Sequence, residues 1–372
     1  MTETIMKASR QLFGRKKDEK FENLLTLREH LNRRTNGTFE KTVDLRDFCY
    51  NHDVGKMFLE QRKAFQDTGP RHDLNDWSFR QLCKQLSAPA EFISKLSPQL
   101  ASDCMQEATV QREADSRKGK SVFYMDKDES GGSEGTIRAI TTDRYVRVYD
   151  KEVMTQVEKY GSGMTPQGLY SGERDIFMFM TNEELKVDIN GEDLNRGFMV
   201  WNSEVGSRTF GVMSFYYRTI CSNHIVWGCQ NVNERVSKHI GQVRDIFNEL
   251  PYFIEWASNN DTLINDADAV KKAQEMLLGK DPVECATVLR KMGWGKKVAN
   301  TIVQEAEVDH ERHGTKGSPY SIWGIVQGAT ANSQRHENLE DRFAEDLKIS
   351  KLMDRAITVS YTHLTLPTNR EV

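Results

Sequence analysis

No stretch of the 372 residues approaches eighteen consecutive apolar positions, which excludes a transmembrane helix. The opening segment, MTETIMKASRQLFGRKK, has no apolar core before its charges and is not read as a secretory signal. Cysteine is scarce: Cys49, Cys83, Cys104, Cys221, Cys229 and Cys285 lie far apart, as reduced intracellular thiols do and disulfide frameworks do not. Charge of one sign is also lacking. A net charge of −4 gives no global attraction for a polyanion and leaves only local basic surfaces for that role. There is no Walker A loop, no G-x-G-x-x-G after a strand and no internal repeat. These absences exclude a membrane-spanning helix and the common nucleotide-hydrolysing signatures, and point to a protein of the cytoplasm.

What is present suffices for a large core. Seventeen Phe, eleven Tyr and six Trp accompany 38% apolar residues, which rules out global disorder. Residues 1–70 are expected to form an N-terminal extension. Its first 35 residues are basic, with nine Lys and Arg against five acids, and Leu24, Leu27 and Leu31 suit a peripheral helix. Residues 71–357 are expected to form one α+β domain, a mainly antiparallel sheet packed by N-terminal and C-terminal helices. Its parts are a helical cluster at 76–114, a sheet at 121–228 and a helical region at 233–357. In the last, Val236, Ile240, Val243, Phe247 and Leu250 make one apolar stripe. The sheet signal is a change to period two at SVFYM (121–125), TIRAITTDRYVRVY (136–149), DIFMFM (175–180), GFMVW (197–201) and TFGVMSFYY (209–217). Their closeness in sequence favours antiparallel pairing. Residues 358–372, with the run VSYTHLTLPT, resemble a translated sequencing adapter and are expected to be non-native.

Four groups carry candidate chemistry. In DRYVRVY (143–149), strand alternation would place Tyr145, Arg147 and Tyr149 on one face and Arg144 on the other. Aromatics interleaved with Arg on a sheet can stack bases and hold phosphates, and an ordinary covering strand shows the same pattern. In MGWGKKVANTI (292–302), a helix, Gly-apolar-Gly and a second helix form the pattern of a helix-hairpin-helix, in which second-helix N–H groups face a phosphate. Lys296 and Lys297 would add charge there, although any tight helical turn selects glycine. Cys221, His224 and Cys229 have zinc-like spacing, with His239 or Cys285 as a fourth ligand through the fold. Cys221 with His224 could also be nucleophile and base; a buried thiol beside a polar turn explains the same residues. His310-Glu311-Arg312-His313 falls one residue short of H-E-x-x-H, so a charged helix end is the plain reading. Around one hairpin, Asn202, Ser203, Glu204, Ser207, Arg208 and Arg218 form a polar group that could hold a turn or line a groove.

Several segments together are similar to the domain-of-unknown-function 932 family, found as phage- and plasmid-like proteins. They are QLCKQLSAP (81–89) with Phe92 and Leu96, IRAITTDRY (137–145), WNSEVGS (201–207), RTICSN (218–223), and Trp323-Gly324 through Ala329-Thr330. The family-motif residues are Asn202, Ser203, Gly206, Arg218, Cys221 and Asn223. The resemblance implies an accessory protein of mobile genetic elements, associated with DNA processing, without a settled activity. The leading expectation is a non-enzymatic protein that binds nucleic acid in replication or recombination, with single-strand annealing as one form of it. Arg138, Arg144, Tyr145, Arg147, Arg208, Arg218, Lys296 and Lys297 would contact single-stranded DNA. Replacing Arg144 and Arg147 is expected to weaken binding and flatten its salt dependence. No catalytic residue, metal or cofactor is assigned, no membrane partner is expected, and a homo-oligomer would suit annealing. The alternatives are an enzyme using Cys221 and His224, hydrolase-like or metal-dependent, and a host-interaction factor.

Overall fold

The computed structural model describes residues 17–53, 56–61, 71–114, 121–126, 135–189, 191–218, 223–225, 235–237, 239, 243–257, 263–337 and 339–362. The fold is α+β, with two mostly antiparallel sheets and eleven α-helices among the described residues.

The first sheet is the expected meander. Strands β8 (Thr165–Ser171), β9 (Ile176–Ile189), β10 (Glu192–Asn202) and β11 (Phe210–Arg218) pair in chain order, all antiparallel. Gly197 sits at a bulge in β10, where a Cβ would lie 1.9 Å from the Met180 carbonyl oxygen. The edges are finished by β1 (Glu19–Phe21) against β8, and by β12 (Asn223–Ile225) and β13 (Arg235–Ser237) against β11. The last is a correction. Val236 belongs to a strand, and the helical stripe begins only at Val243 in α6 (Val243–Ala257), which buries Val243, Phe247 and Leu250.

The second sheet has the order β2-β6-β7-β5-β4-β3. It comprises β2 (Thr38–Val43), β3 (Phe48–Asp53), β4 (Lys56–Gln61), β5 (Arg71–Leu74), β6 (Ser121–Asp126) and β7 (Gly135–Thr142), with β5 and β7 parallel. Three of these strands, β2, β3 and β4, come from the segment expected as an N-terminal extension. Helix α1 (Leu24–Asn36) of that segment also buries Leu27 and Leu31 among Val200, Phe198 and Leu169 of the first sheet. Residues 17–61 are therefore built into both sheets. On the second sheet lie α2 (Asp76–Gln85), α3 (Ala90–Ile93) and α4 (Pro98–Ala114), which pack Phe79, Leu82 and Met105 against Leu59 and Ile137. Helix α2 is capped by Asn75, whose side chain accepts from the Ser78 N–H at 2.8 Å.

Strand β7 stops at Thr142. Asp143 and Arg144 form a turn, and Val146–Tyr149 lead into α5 (Asp150–Tyr160) without strand pairing, so the alternation expected for residues 143–149 does not exist. The Tyr149 N–H, which a strand would have used, is bonded to the Glu152 side chain at 2.8 Å as part of the helix start.

The C-terminal helices form their own core. Helix α7 (Leu263–Glu275), α8 (Pro282–Lys291), α9 (Lys296–His313), α10 (Ile322–Ser333) and α11 (Leu339–Thr362) enclose Trp323, Leu289, Ile302 and Leu352. Residues 358–362 of the expected adapter segment continue α11, and the remainder lies outside the described residues. No helix among the described residues is long and apolar enough to cross a membrane.

Candidate functional site

The β10–β11 connection sits where the two sheets meet. Asn202 ends β10 fully buried, and its Nδ2 donates to the Val148 carbonyl at 2.8 Å and to Asp150 at 2.6 Å. Ser203 Oγ donates to the Arg174 carbonyl at 2.6 Å and accepts from the Ser207 N–H at 3.0 Å, closing the turn. Gly206 takes φ +75° under the Tyr145 ring, which favours glycine both for backbone conformation and for space. The Tyr145 hydroxyl donates to the Ser203 carbonyl at 2.8 Å, and Trp77 Nε1 and Gln81 Nε2 of α2 both donate to the Val205 carbonyl at 2.8 Å.

Beneath this turn lies a buried charge cluster. Glu204 accepts from Arg138 Nη1 at 3.1 Å and from the Asp150 N–H at 3.0 Å, with Arg34 Nη2 at 3.6 Å. Arg34 also pairs with Asp150. The four side chains come from α1, β7, the start of α5 and the β10–β11 turn, so the cluster joins both sheets. Burial, reinforced by the Glu204 charge, pushes the Asp150 carboxyl up to about 8. Burial acts on Glu204 too, but the guanidinium groups of Arg34 and Arg138 outweigh it and hold that carboxyl below its usual range. Two carboxylates driven apart in this way resemble an acid–base pair. Yet Asp150 and Glu204 are 1% and 2% exposed, so the cluster serves the fold's integrity rather than a substrate.

Arg147, Arg208 and Arg218 are similarly engaged. Arg147 is buried and pairs with Glu40. Arg208, largely buried, lies 3.6 Å from Asp175 and over the Phe177 ring. Arg218, fully buried at the end of β11, reaches Glu192 at 2.6 Å, Asp309 of α9 at 2.9 Å and the Thr315 hydroxyl at 2.9 Å. This ties the first sheet to the helical region. As contacts for a phosphate, Arg138, Arg147 and Arg218 are thus corrected by the structure: each guanidinium already faces an internal carboxylate and is shielded from solvent. Arg144, in the turn after β7, is exposed.

The helix-hairpin-helix pattern is realised. Helix α8 starts at an Asp281 cap with Pro282 in the first turn, as DPVE indicates. It ends at Met292, and Gly293 takes φ +98°, a conformation that side chains resist. Trp294 is buried, with its N–H bonded back to the Leu289 carbonyl at 3.2 Å and its indole N–H to Glu345 at 3.3 Å. Gly295 caps α9 without a side-chain partner for the first-turn N–H groups. Arg290, Lys291, Lys296 and Lys297 are exposed around this turn, and Lys348 Nζ stands 5.9 Å from the Trp294 ring. A groove of about 450 Å³ runs from the turn between α8 and α9.

Cys221 and Cys229 lie outside the described residues, as does the side chain of His224, while the backbones of Asn223 and His224 belong to β12. His239 stacks on Tyr145 with centroids 5.0 Å apart and donates from Nδ1 to the Val146 carbonyl at 3.0 Å. Burial lowers its pKa to about 4, so it is neutral. Cys285 is buried in the helical core, with burial raising its thiol to about 11. His310 Nδ1 donates to the Thr315 carbonyl at 2.9 Å, closing the end of α9. Among the described residues no three His, Cys, Asp or Glu side chains converge as metal ligands.

Sequence reasoning missed Arg34, Asp150, Glu192 and Asp309, which contact Glu204, Asn202 and Arg218 of the β10–β11 hairpin. An available signal was the surplus of polar residues in the apolar β10–β11 hairpin, which demands partners elsewhere.

The architecture is that of a two-sheet α+β protein with a helical C-terminal region bearing a basic hairpin. Residues 139–353, more than half of the chain, match the family described as Domain of unknown function (DUF932), and the chain belongs to that family. No curated protein and no solved structure matches the chain.

Proposed function

We propose that this protein binds nucleic acid, and that the α8–α9 hairpin, rather than the sheet, grips the phosphates. The observation that carries this reading is the exposed quartet Arg290, Lys291, Lys296 and Lys297 around a rigid Gly-Trp-Gly turn that opens the N-terminus of α9. Cationic side chains and unpaired N–H groups converge there, an arrangement suited to a phosphate oxygen. Another cleft, bounded by Lys159, Tyr160, Glu184 and Glu255, carries carboxylates that repel such a ligand. The family resemblance supports a setting: a mobile-element protein in the host cytoplasm, acting on single-stranded DNA in replication or recombination. Self-association would suit annealing.

The test is fluorescence-anisotropy titration of the full chain with single- and double-stranded DNA across a salt series. Salt-sensitive binding is expected, and Lys296→Ala/Lys297→Ala should weaken it and lower the log–log salt slope by about 0.7 per lost contact on single strands. An unchanged slope and affinity in the double variant would remove the hairpin from the interface.

A further inference from the structure

The groove beside the hairpin has a shape and a polarity of its own. On α8 its wall is Pro282, Val283, Ala286, Thr287 and Arg290, and on α9 it is Lys296, Asn300, Val303, Gln304 and Glu307. Each set follows the i, i+4, i+7/i+8 spacing of one helix face, so the groove is written into the period of both helices. Its volume of about 450 Å³ falls within the ~300–1,000 Å³ of small-ligand clefts. The charges are segregated along it. Arg290 lies in the last turn of α8 and Lys296 opens α9, so both cations stand at the hairpin end. The middle is apolar and uncharged: Val283 is 75% exposed, and Val303 and Ala286 form the floor. Exposed Asn300 and Gln304 border it, and their side-chain amides have no intramolecular partner among the described residues. Glu307 at the far end is engaged by the Tyr320 hydroxyl at 2.7 Å.

We propose that this groove takes an unpaired nucleobase of a single strand, with the adjoining phosphate on Arg290 and Lys296. The proposal rests on the hairpin reading and deepens it. A phosphate at the cationic end is matched by charge. A base following it lies flat against Val283 and Val303, and its edge meets Asn300 and Gln304, which both donate and accept. A paired base cannot enter, since its edge is already used and its stacking neighbours block the approach. The groove therefore converts a sequence-blind phosphate grip into a preference for single strands.

The probe is a fluorescent oligothymidine strand, compared with an abasic strand of equal length that carries the same phosphates and no bases. The full chain is titrated with both at one salt concentration. The wild type should bind the thymidine strand about tenfold more tightly. The variant Val283→Ser/Asn300→Ala/Gln304→Ala replaces only exposed or partnerless side chains. It should lose that difference while keeping its abasic-strand affinity, its salt slope and its thermal midpoint. Equal wild-type affinity for both strands overturns the groove and leaves the hairpin reading intact, as does a preference that survives in the variant, because the bases then bind elsewhere. Binding to neither strand overturns the hairpin reading and the groove together. Free thymidine monophosphate competing as effectively, per nucleotide, as the strand would also overturn the assignment to a polynucleotide.

Discussion

The sheet junction and the helical hairpin each concentrate positive charge, and they use it in opposite ways. At the junction, Arg34, Arg138, Arg147 and Arg218 are turned inward, each towards a carboxylate supplied by another element. At the hairpin, Arg290, Lys291, Lys296 and Lys297 sit on adjacent helix ends and face solvent. The same residue types thus perform cohesion in one region and stay available in the other. Local sequence does not distinguish the two; what does is whether the fold brings an acid to the base. Arginine suits the first task because its planar fork satisfies several oxygens at once.

The largest effect should come from breaking the junction. Glu204→Ala strips the closer carboxylate from Arg138, which keeps Asp126 at 3.7 Å, and one acidic partner from Arg34, so buried positive charge is less well compensated. The loss should be about 3–5 kcal/mol of unfolding free energy, measured by urea denaturation. Lys296→Ala/Lys297→Ala at the hairpin should change the same quantity by less than about 0.5 kcal/mol. If both variants fell equally, the division between cohesive and available charge would be wrong.

A smaller effect sharpens the junction itself. Asp150 keeps its proton up to about pH 8, whereas in the unfolded chain it titrates near 3.8. Between those values the native state holds a proton that the unfolded state has released, so stability falls as pH rises through the window. Glu204 has the opposite sign: held below its usual 4.5, it contributes stability above that pH, which is lost as pH falls through its folded value. Above pH 5 the Glu204 contribution is constant, and Asp150 acts there together with Asp346, raised to about 6, and against His239, lowered to about 4, so the variant isolates its share. Asp150→Asn, mimicking the protonated form, should cost about 1 kcal/mol or less at pH 6 and flatten the decline between pH 5 and 8. Thermal midpoints across that range check it. A decline as steep as in the wild type would place the titrating proton on another group.

How far the sequence reveals these two regions follows from the range of the forces involved. The hairpin is legible because its determinants are local: an Asp-Pro-x-Glu start, a Gly-Trp-Gly turn and apolar positions at helical spacing. The meander from β8 to β11 is legible for the same reason, with short connections between alternating segments. The junction is not. DRYVRVY alternates like a strand, but the turn at Asp143–Arg144 and the Tyr149–Glu152 helix start override the alternation. Arg138 and Arg147 find Glu204 and Glu40 across 66 and 107 residues. Strands β3 to β5 are equally hidden: FCYNHD and RHDL are short and polar, and acquire their strand character from their neighbours in the sheet. Val236 is read as helical because a helical stripe begins a few residues later, whereas it lies in β13, paired with Gly211 of β11.

The smallest expected effect is the most discriminating for the comparison. Arg144 is exposed in the turn after β7, takes no part in the junction's ion pairs among the described residues, and is the one arginine of its segment open to a phosphate. Arg147 is a poor test of binding, because removing it also leaves Glu40 without its partner. Arg144→Ala alone touches only solvent-facing charge. If nucleic acid lies on the hairpin, this variant should keep its unfolding free energy within about 0.5 kcal/mol, and its DNA affinity and salt slope should match the wild type. A slope lowered by about 0.7 on single strands would mean that one phosphate is held at the sheet. The strand would then run from the hairpin across the junction, and the charge there would serve both cohesion and binding.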